Sequence, residues 1–335
     1  MGSGRTPAAH VEYFTRVLGM DHRIAISHAS GIAAEAILEK LSESGIAPDS
    51  LFLLDNEAHV GKRLPYAGGR IAIRDQHGFD FSQSALLLMP EADAEIESTA
   101  IAQGCLLLSH LIERESPAIF MSDAEAAPNI SYTETSLRLA GAELCCLLPI
   151  LQALDRMQSI AHLGVTLIRS VEFHGKPGVD ELASQTVNLL NTRQVVPSVF
   201  PEQIAFNVLP EAADSRIISD LDHFLGTISY SPMVQTLNVP LFHGFAAAVQ
   251  LRFESDIALI DCRKRLESLD NLSVKQGSAS PISDCNQSFS CVISHLEQVT
   301  NQHSGLQFWM IADPMRYGLA NNYVNVAEFL LKSFL

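Results

Sequence analysis

The segment from Ile24 to Asp55 constrains this chain more than any other. Three apolar residues, Ile24 to Ile26, run into His28-Ala29-Ser30-Gly31. The following AAEAILEKLSES then places Ile37, Leu38 and Leu41 on one helical face before Gly45 stops it. A second apolar run, Leu51 to Leu54, ends in Asp55. Strand, helix and strand in this length make a parallel βαβ unit, the start of a doubly wound sheet.

Later segments extend that sheet. IAIRD at 71–75, SALLLMP at 84–90, CLLLS at 105–109 and AIFM at 118–121 read as strands, with a helix over 92–103. They predict a Rossmann-like α/β domain over 23–127. Beyond it the alternation loosens. SLRLA reads as a strand up to Ala140, and GAELCCLLPILQALDRM as a helix interrupted by Pro149. A proline inside a helix costs about 3 kcal/mol unless the helix kinks there. HLGVTLIRSVEF (162–173), IAFNVLP (204–210), 237–255 and LQFWMIAD (306–313) are further strand segments, with a helix over 215–225. This order predicts an α+β domain with a mixed sheet over 128–315. Residues 271–291 read as a polar, irregular arm.

The stretch from His174 to Pro210 carries an amphipathic helix with Val179, Leu182, Val187, Leu189 and Leu190. It has too many apolar residues to stand alone, so it is expected to pack on something earlier in the chain. YVNVAEFLLKSFL, within 316–335, reads as an amphipathic helix returning to the first domain. Residues 1–22 lack an apolar signal core and read as a leader or vector-derived segment outside the fold.

With 335 residues and 47 % apolar content the chain can bury two domain cores. Thirty-eight acids against 22 bases, net −16, argue against a nucleic-acid partner, since phosphate contacts need a basic surface. No run is long enough for a membrane span. The six cysteines show no paired framework, as expected for reduced thiols in a cytoplasmic protein, and the twelve histidines have no metal-ligand spacing.

Four strings in order, GKPGVDELASQTVNLLN, FPEQIAFNVLP, NVPLFHG and LQFWMIADPMRYGLANNYVNVAE, carry a resemblance. The chain resembles the aspartate-semialdehyde dehydrogenases, and in particular their Usg-type homologues, over residues 23 to 335. The resemblance implies a nucleotide-binding first domain completed by the C-terminal helix, and a second domain for substrate and dimerisation in a homodimer. It also implies NADP-dependent reductive dephosphorylation of aspartyl phosphate through a cysteine thioester.

The positions that would perform this chemistry have changed. The family's glycine-rich turn falls on residues 28–34, where only Gly31 remains. Ser30, Gly31 and Ile32 are the candidate phosphate contacts, because amides at a helix start can meet an anion. Asp55 stands where Rossmann folds place a ribose-binding acid, which favours NAD over NADP; it equally reads as a strand-end cap. The nucleophile's place is taken by Ala142, the orienting glutamine's by Arg169, the substrate-clamping arginine's by Asn238 and the acid–base histidine's by Phe245. Cys145 or Cys146 with His243 are the available substitutes, although a thiol one turn inside an apolar helix is hard to ionise. Arg216 matches a position that helps bind the substrate phosphate in the family; at a second such position the register places Glu115, with Arg114 adjacent and one residue out of step. These changes predict a dimeric scaffold that has lost dehydrogenase catalysis and binds or regulates, for instance beside a metabolic enzyme. The alternative is an active NAD(P)-dependent enzyme using the displaced thiol and histidine.

Overall fold

A computed structural model describes residues 23–112, 118–121, 135–212, 214–225, 232–299 and 304–333. The chain divides into two compact units, Met1–Gly141 with Leu319–Leu335, and Ala142–Gly318. The division thus falls later than the residue 127 read from the sequence. The leader 1–22 lies outside the described residues.

In the first unit, β1 (Ile24–Ile26), β2 (Leu51–Asp55), β3 (Arg63–Tyr66), β4 (Gly69–Asp75), β5 (Leu86–Leu88), β6 (Leu106–Ser109) and β7 (Ser136–Arg138) form one sheet. Their spatial order is β3-β4-β2-β1-β5-β6-β7. All neighbours pair in parallel except β3 with β4. The order reverses between β1 and β5, whose registers match Ile24 with both Leu51 and Leu86. Helix α1 (Ile32–Glu43) buries Ile37, Leu38 and Leu41 as its periodicity requires, and Gly45 ends it at φ 76°. Helix α2 (Ala94–Ala102) is capped by Asp93, which accepts the amides of Glu95 and Ile96.

Two sequence expectations fail here. The strand at 136–138 belongs to this sheet and does not open the second domain. AIFM is not a strand; only Ile119 bridges to Leu139. Its backbone is taken up by asparagine side chains of the last helix. Asn322 accepts the Met121 amide and donates to the Ile119 carbonyl, and Asn325 donates to the Met121 carbonyl.

The second unit opens with α3 (Ala142–Asp155), which runs through Pro149 as one helix. Its strands are β8 (Ile160–Arg169), β9 (Leu209–Glu211), β10 (Met233–Asn238), β11 (Phe245–Phe253), β12 (Leu272–Val274), β13 (Cys291–Val299) and β14 (Gly305–Ala312). They form a mixed sheet ordered β12-β13-β14-β11-β8-β10-β9, in which β8 and β10 are parallel and β8, β11, β14 and β13 run antiparallel in turn. Its helices are α4 (Gly175–Leu190), α5 (Ser215–Phe224), α6 (Leu259–Glu267) and α7 (Pro281–Asp284), and the region 271–291 includes β12 and α7 rather than being wholly irregular. The last helix of the chain, α8 (Asn321–Ser333), belongs to the first unit and packs on α1.

The α4 region differs from its apolar pattern in a revealing way. Its buried residues are Gly178, Glu181, Leu182 and Gln185, whereas Val187 and Leu190 face solvent, Leu190 at 73 % exposure. Glu181 accepts the Ser198 hydroxyl at 2.6 Å, the amides of Ser198 and Val199, and the Gln185 side-chain amide at 2.7 Å. Gln185 in turn accepts the amides of Ile204 and Ala205. IAFN is therefore a turn, not a strand: its first two amides donate to a helix side chain, the Asn207 amide donates to the Ile204 carbonyl, and only Leu209–Glu211 pairs with β10. Leu182 packs with Val171 and also with Phe200, Ile204, Ala205 and Leu209 from the loop that follows, so the stretch closes largely on itself.

Candidate functional site

Helix α3 begins at Ala142, which is only 4 % exposed. The backbone of Gly318 presses on it so closely that a Cβ there would stand 2.7 Å from the Ala142 carbonyl oxygen. Cys145 and Cys146 lie deeper and are buried. Burial drives the Cys146 thiol well above its ordinary pKa, and the neighbouring Cys291, Cys145, Asp313 and Glu143 add to this. A thiol held neutral is neither nucleophile nor ready metal ligand.

The C-terminal ends of β8 and β10 bring Arg169 and Asn238 side by side, since their register pairs these two residues. The Arg169 guanidinium is bound on two sides, by Glu143 from the first turn of α3 and by Glu211 at 3.0 Å from β9. It also lies over the Phe173 ring, 5.4 Å from its centroid. Asn238 is buried, donates to Glu211 at 3.1 Å and faces His174 Nε2 at 3.4 Å. Phe245 is fully buried beside Phe173. Arg216 turns back on Asp214, the cap of α5, with Nη2 donating to Oδ2 at 3.1 Å. Burial raises the Asp214 carboxyl, but hydrogen bonds from Arg216 and the charges of Arg216 and Arg169 outweigh it and leave it below its usual value. Where the family resemblance implies an open pocket gripping a carboxylate, these residues form a set of internal ion pairs.

His243 stands in the connection before β11, not on the strand. Its Nδ1 donates to Glu172 at 3.0 Å, and the same buried carboxylate accepts the Gly244 amide and the Ser170 hydroxyl. The hydrogen bond to Glu172 raises the imidazole pKa; burial and Arg316 oppose this, while the charges of Glu172 and Asp313 reinforce it. A histidine raised in the fold stabilises it fully below the unfolded pKa of about 6.5 and loses that contribution as pH rises through the folded value. The melting temperature is thus expected to fall from pH 6 to pH 9 by more in the wild type than in His243→Gln. The ring is half exposed, so this difference corresponds to no more than about 1 kcal/mol.

In the first unit, the turn after β1 holds Ser30, Gly31 and Ile32 at the start of α1. His28 takes φ 49°, the left-handed bend a glycine adopts freely. Its Nε2 lies 3.6 Å from Asp93. Asp55 is buried and occupied: Oδ2 accepts the Ser30 amide at 2.8 Å, and Oδ1 accepts the Asn56 amide at 2.8 Å and faces His59 Nδ1 at 3.1 Å. Burial raises its carboxyl, yet the hydrogen bonds from Ser30, Asn56 and His59 hold it below the ordinary carboxylate range. These are contacts of a strand-end cap. Glu91, exposed as a residue, rests its carboxylate on Gly31.

Arg114 lies outside the described residues. Sequence reasoning missed Glu143, Glu211, Glu172 and Glu91. Each is an ordinary acid in the sequence and gains meaning only from a partner distant along the chain. Among the described residues no group of His, Cys, Asp and Glu could hold a metal ion, and no helix is long and apolar enough to cross a membrane.

A family model described as semialdehyde dehydrogenase, dimerisation domain, matches residues 147–317. The chain belongs to the semialdehyde dehydrogenase family. It is 26 % identical to aspartate-semialdehyde dehydrogenase 2 of Vibrio cholerae over 95 % of this chain and all of that one. It is 28 % identical to the USG-1 protein homolog of Azotobacter vinelandii over 92 % of this chain and 97 % of that one. The structure of aspartate semialdehyde dehydrogenase II from Vibrio cholerae complexed with ASA superposes at a TM-score of 0.84, with 25 % identity over 94 % of this chain and 100 % of that one. The two-domain α/β fold is thus that of the family.

Proposed function

We propose that this semialdehyde dehydrogenase homologue has lost the family's catalysis and serves as a dimeric binding or regulatory scaffold in the cytoplasm. The observation that carries the reading is Arg169 tied to Glu143 and Glu211 beside a buried Ala142. The thioester position holds a methyl group, and the site around it is filled by the chain's own charges. Nucleophile, base, orienting glutamine and clamp arginine have changed together, and the loss of one member of such a unit already costs orders of magnitude in rate. The buried, un-ionised Cys146 speaks against a relocated nucleophile.

The second unit carries the surface for association. Leu190, Val196, Phe206, Val208 and Met233 are exposed around α4, its following loop and β10, and Trp309 is exposed on β14. Exposed apolar groups on this scale mark a contact surface. A homodimer, with a metabolic enzyme as a further partner, accounts for it.

Purified protein given aspartate semialdehyde, phosphate and NAD or NADP is expected to show no turnover above the buffer blank. Iodoacetamide at neutral pH should leave Cys145 and Cys146 unmodified in the folded protein. Sustained turnover, or rapid alkylation that semialdehyde prevents, would restore the displaced-thiol enzyme.

A further inference from the structure

The strand order of the first sheet reverses between β1 and β5, and open α/β sheets take their ligands in the crevice beyond the strand ends at such a point. In a dinucleotide site the amides of the first turn point at the diphosphate, and a glycine lets it approach. Here the three amides that lead into the helix are engaged within the chain. Ala29 donates to the Leu54 carbonyl, Ser30 to Asp55 and Gly31 to the His28 carbonyl. The space that Gly31 leaves is not open either, because a Cβ at that position would overlap the Glu91 carboxylate. Glu91 arrives there because β5 ends at Leu88 and the chain leaves it through Met89 and Pro90, on the other side of the switch point from β2.

We infer that Glu91 and Asp55 close this turn against diphosphates. A carboxylate of the chain lies where a dinucleotide's diphosphate would, and the Ser30 amide answers to Asp55 rather than to a ligand. The residues present do not fit NAD or NADP bound through its diphosphate. Two further observations agree with this placement. Asp93 stands across His28 from the turn, adding a third acid to the mouth. Burial raises the Glu91 carboxyl; the charge of His28 opposes this and that of Asp55 adds to it.

This inference concerns binding and is independent of whether turnover is lost, so its test is a titration and not an assay. Adenosine, ADP, NAD and NADP are titrated calorimetrically at low salt into the wild type, Glu91→Gln and the double variant Glu91→Gln/Asp55→Asn. Asparagine keeps an acceptor for the Ser30 amide while removing the charge, and Glu91 is exposed, so Glu91→Gln leaves the core untouched. The wild type is expected to show no saturable binding at millimolar ligand. Glu91→Gln should bind ADP measurably and the double variant about tenfold more tightly still, the scale of 1.4 kcal/mol, while adenosine gains nothing. Micromolar binding of ADP, NAD or NADP to the wild type overturns the inference. So does a folded Glu91→Gln, judged by unchanged circular dichroism and melting temperature, that binds ADP no better than the wild type. That single variant decides the question if the double variant fails to fold.

Discussion

Glu181→Ala is expected to release the loop 191–208 from α4 and to lower the melting temperature by about 8 °C. The carboxylate is buried and accepts the Ser198 hydroxyl and amide, the Val199 amide and the Gln185 side chain. Removing it leaves these donors unpaired, at about 3 kcal/mol together once some are recovered by water. Glu181→Gln keeps one acceptor and should fall between. The sign of the pH dependence follows from the same contacts. Burial raises the Glu181 carboxyl, but bonds from Ser198, Val199 and Phe200 outweigh it and hold the pKa below its ordinary value. Its stabilisation is therefore present above the unfolded pKa of about 4.3 and is lost as pH falls through the lower folded value. Acid unfolding should accordingly be shallower in Glu181→Gln than in the wild type. The loop also carries the exposed Val196 and Phe206, so Glu181→Ala should weaken self-association in sedimentation at a temperature where it remains folded.

Arg169→Ala is expected to destabilise the second unit by about 3–5 kcal/mol, because it leaves the buried Glu143 carboxylate without its cation. Glu143→Leu alone should cost less, since Arg169 retains Glu211 at 3.0 Å. Replacing both, as Arg169→Met with Glu143→Leu, should recover most of the loss, as apolar side chains of similar volume can fill the place of a buried ion pair. Urea unfolding of the wild type, Arg169→Met, Glu143→Leu and the double variant Arg169→Met/Glu143→Leu as a double-mutant cycle measures the coupling. A coupling near zero would mean that the guanidinium is held by Glu211 and Phe173 alone, and would weaken the view that charges have taken over the old pocket.

The place of function in the molecule was legible to different depths. Ala142 and Phe245 could be read as departures in line with the family's motif strings, and both are buried in the fold. His243 has Nδ1 on Glu172 and its ring half exposed, a pairing between residues far apart in the chain that the sequence does not display. The exposed Val187 and Leu190 look like core residues by periodicity, while the polar Glu181 and Gln185 take the buried face instead. Periodicity reports the average hydrophobicity of a face and is blind to a polar side chain that satisfies a neighbouring loop.

By itself the sequence determined the βαβ start, most of the strands and helices, and the family. These follow from local apolar period and from strings of adjacent residues, which need no knowledge of distant contacts. Only the tertiary structure decided that Arg169 meets Glu143 and Glu211, that Asp55 holds the Ser30 amide, and that Glu91 covers Gly31. Charge pairing is a matter of a few ångströms between residues far apart in the chain, and strand order, not composition, sets those distances.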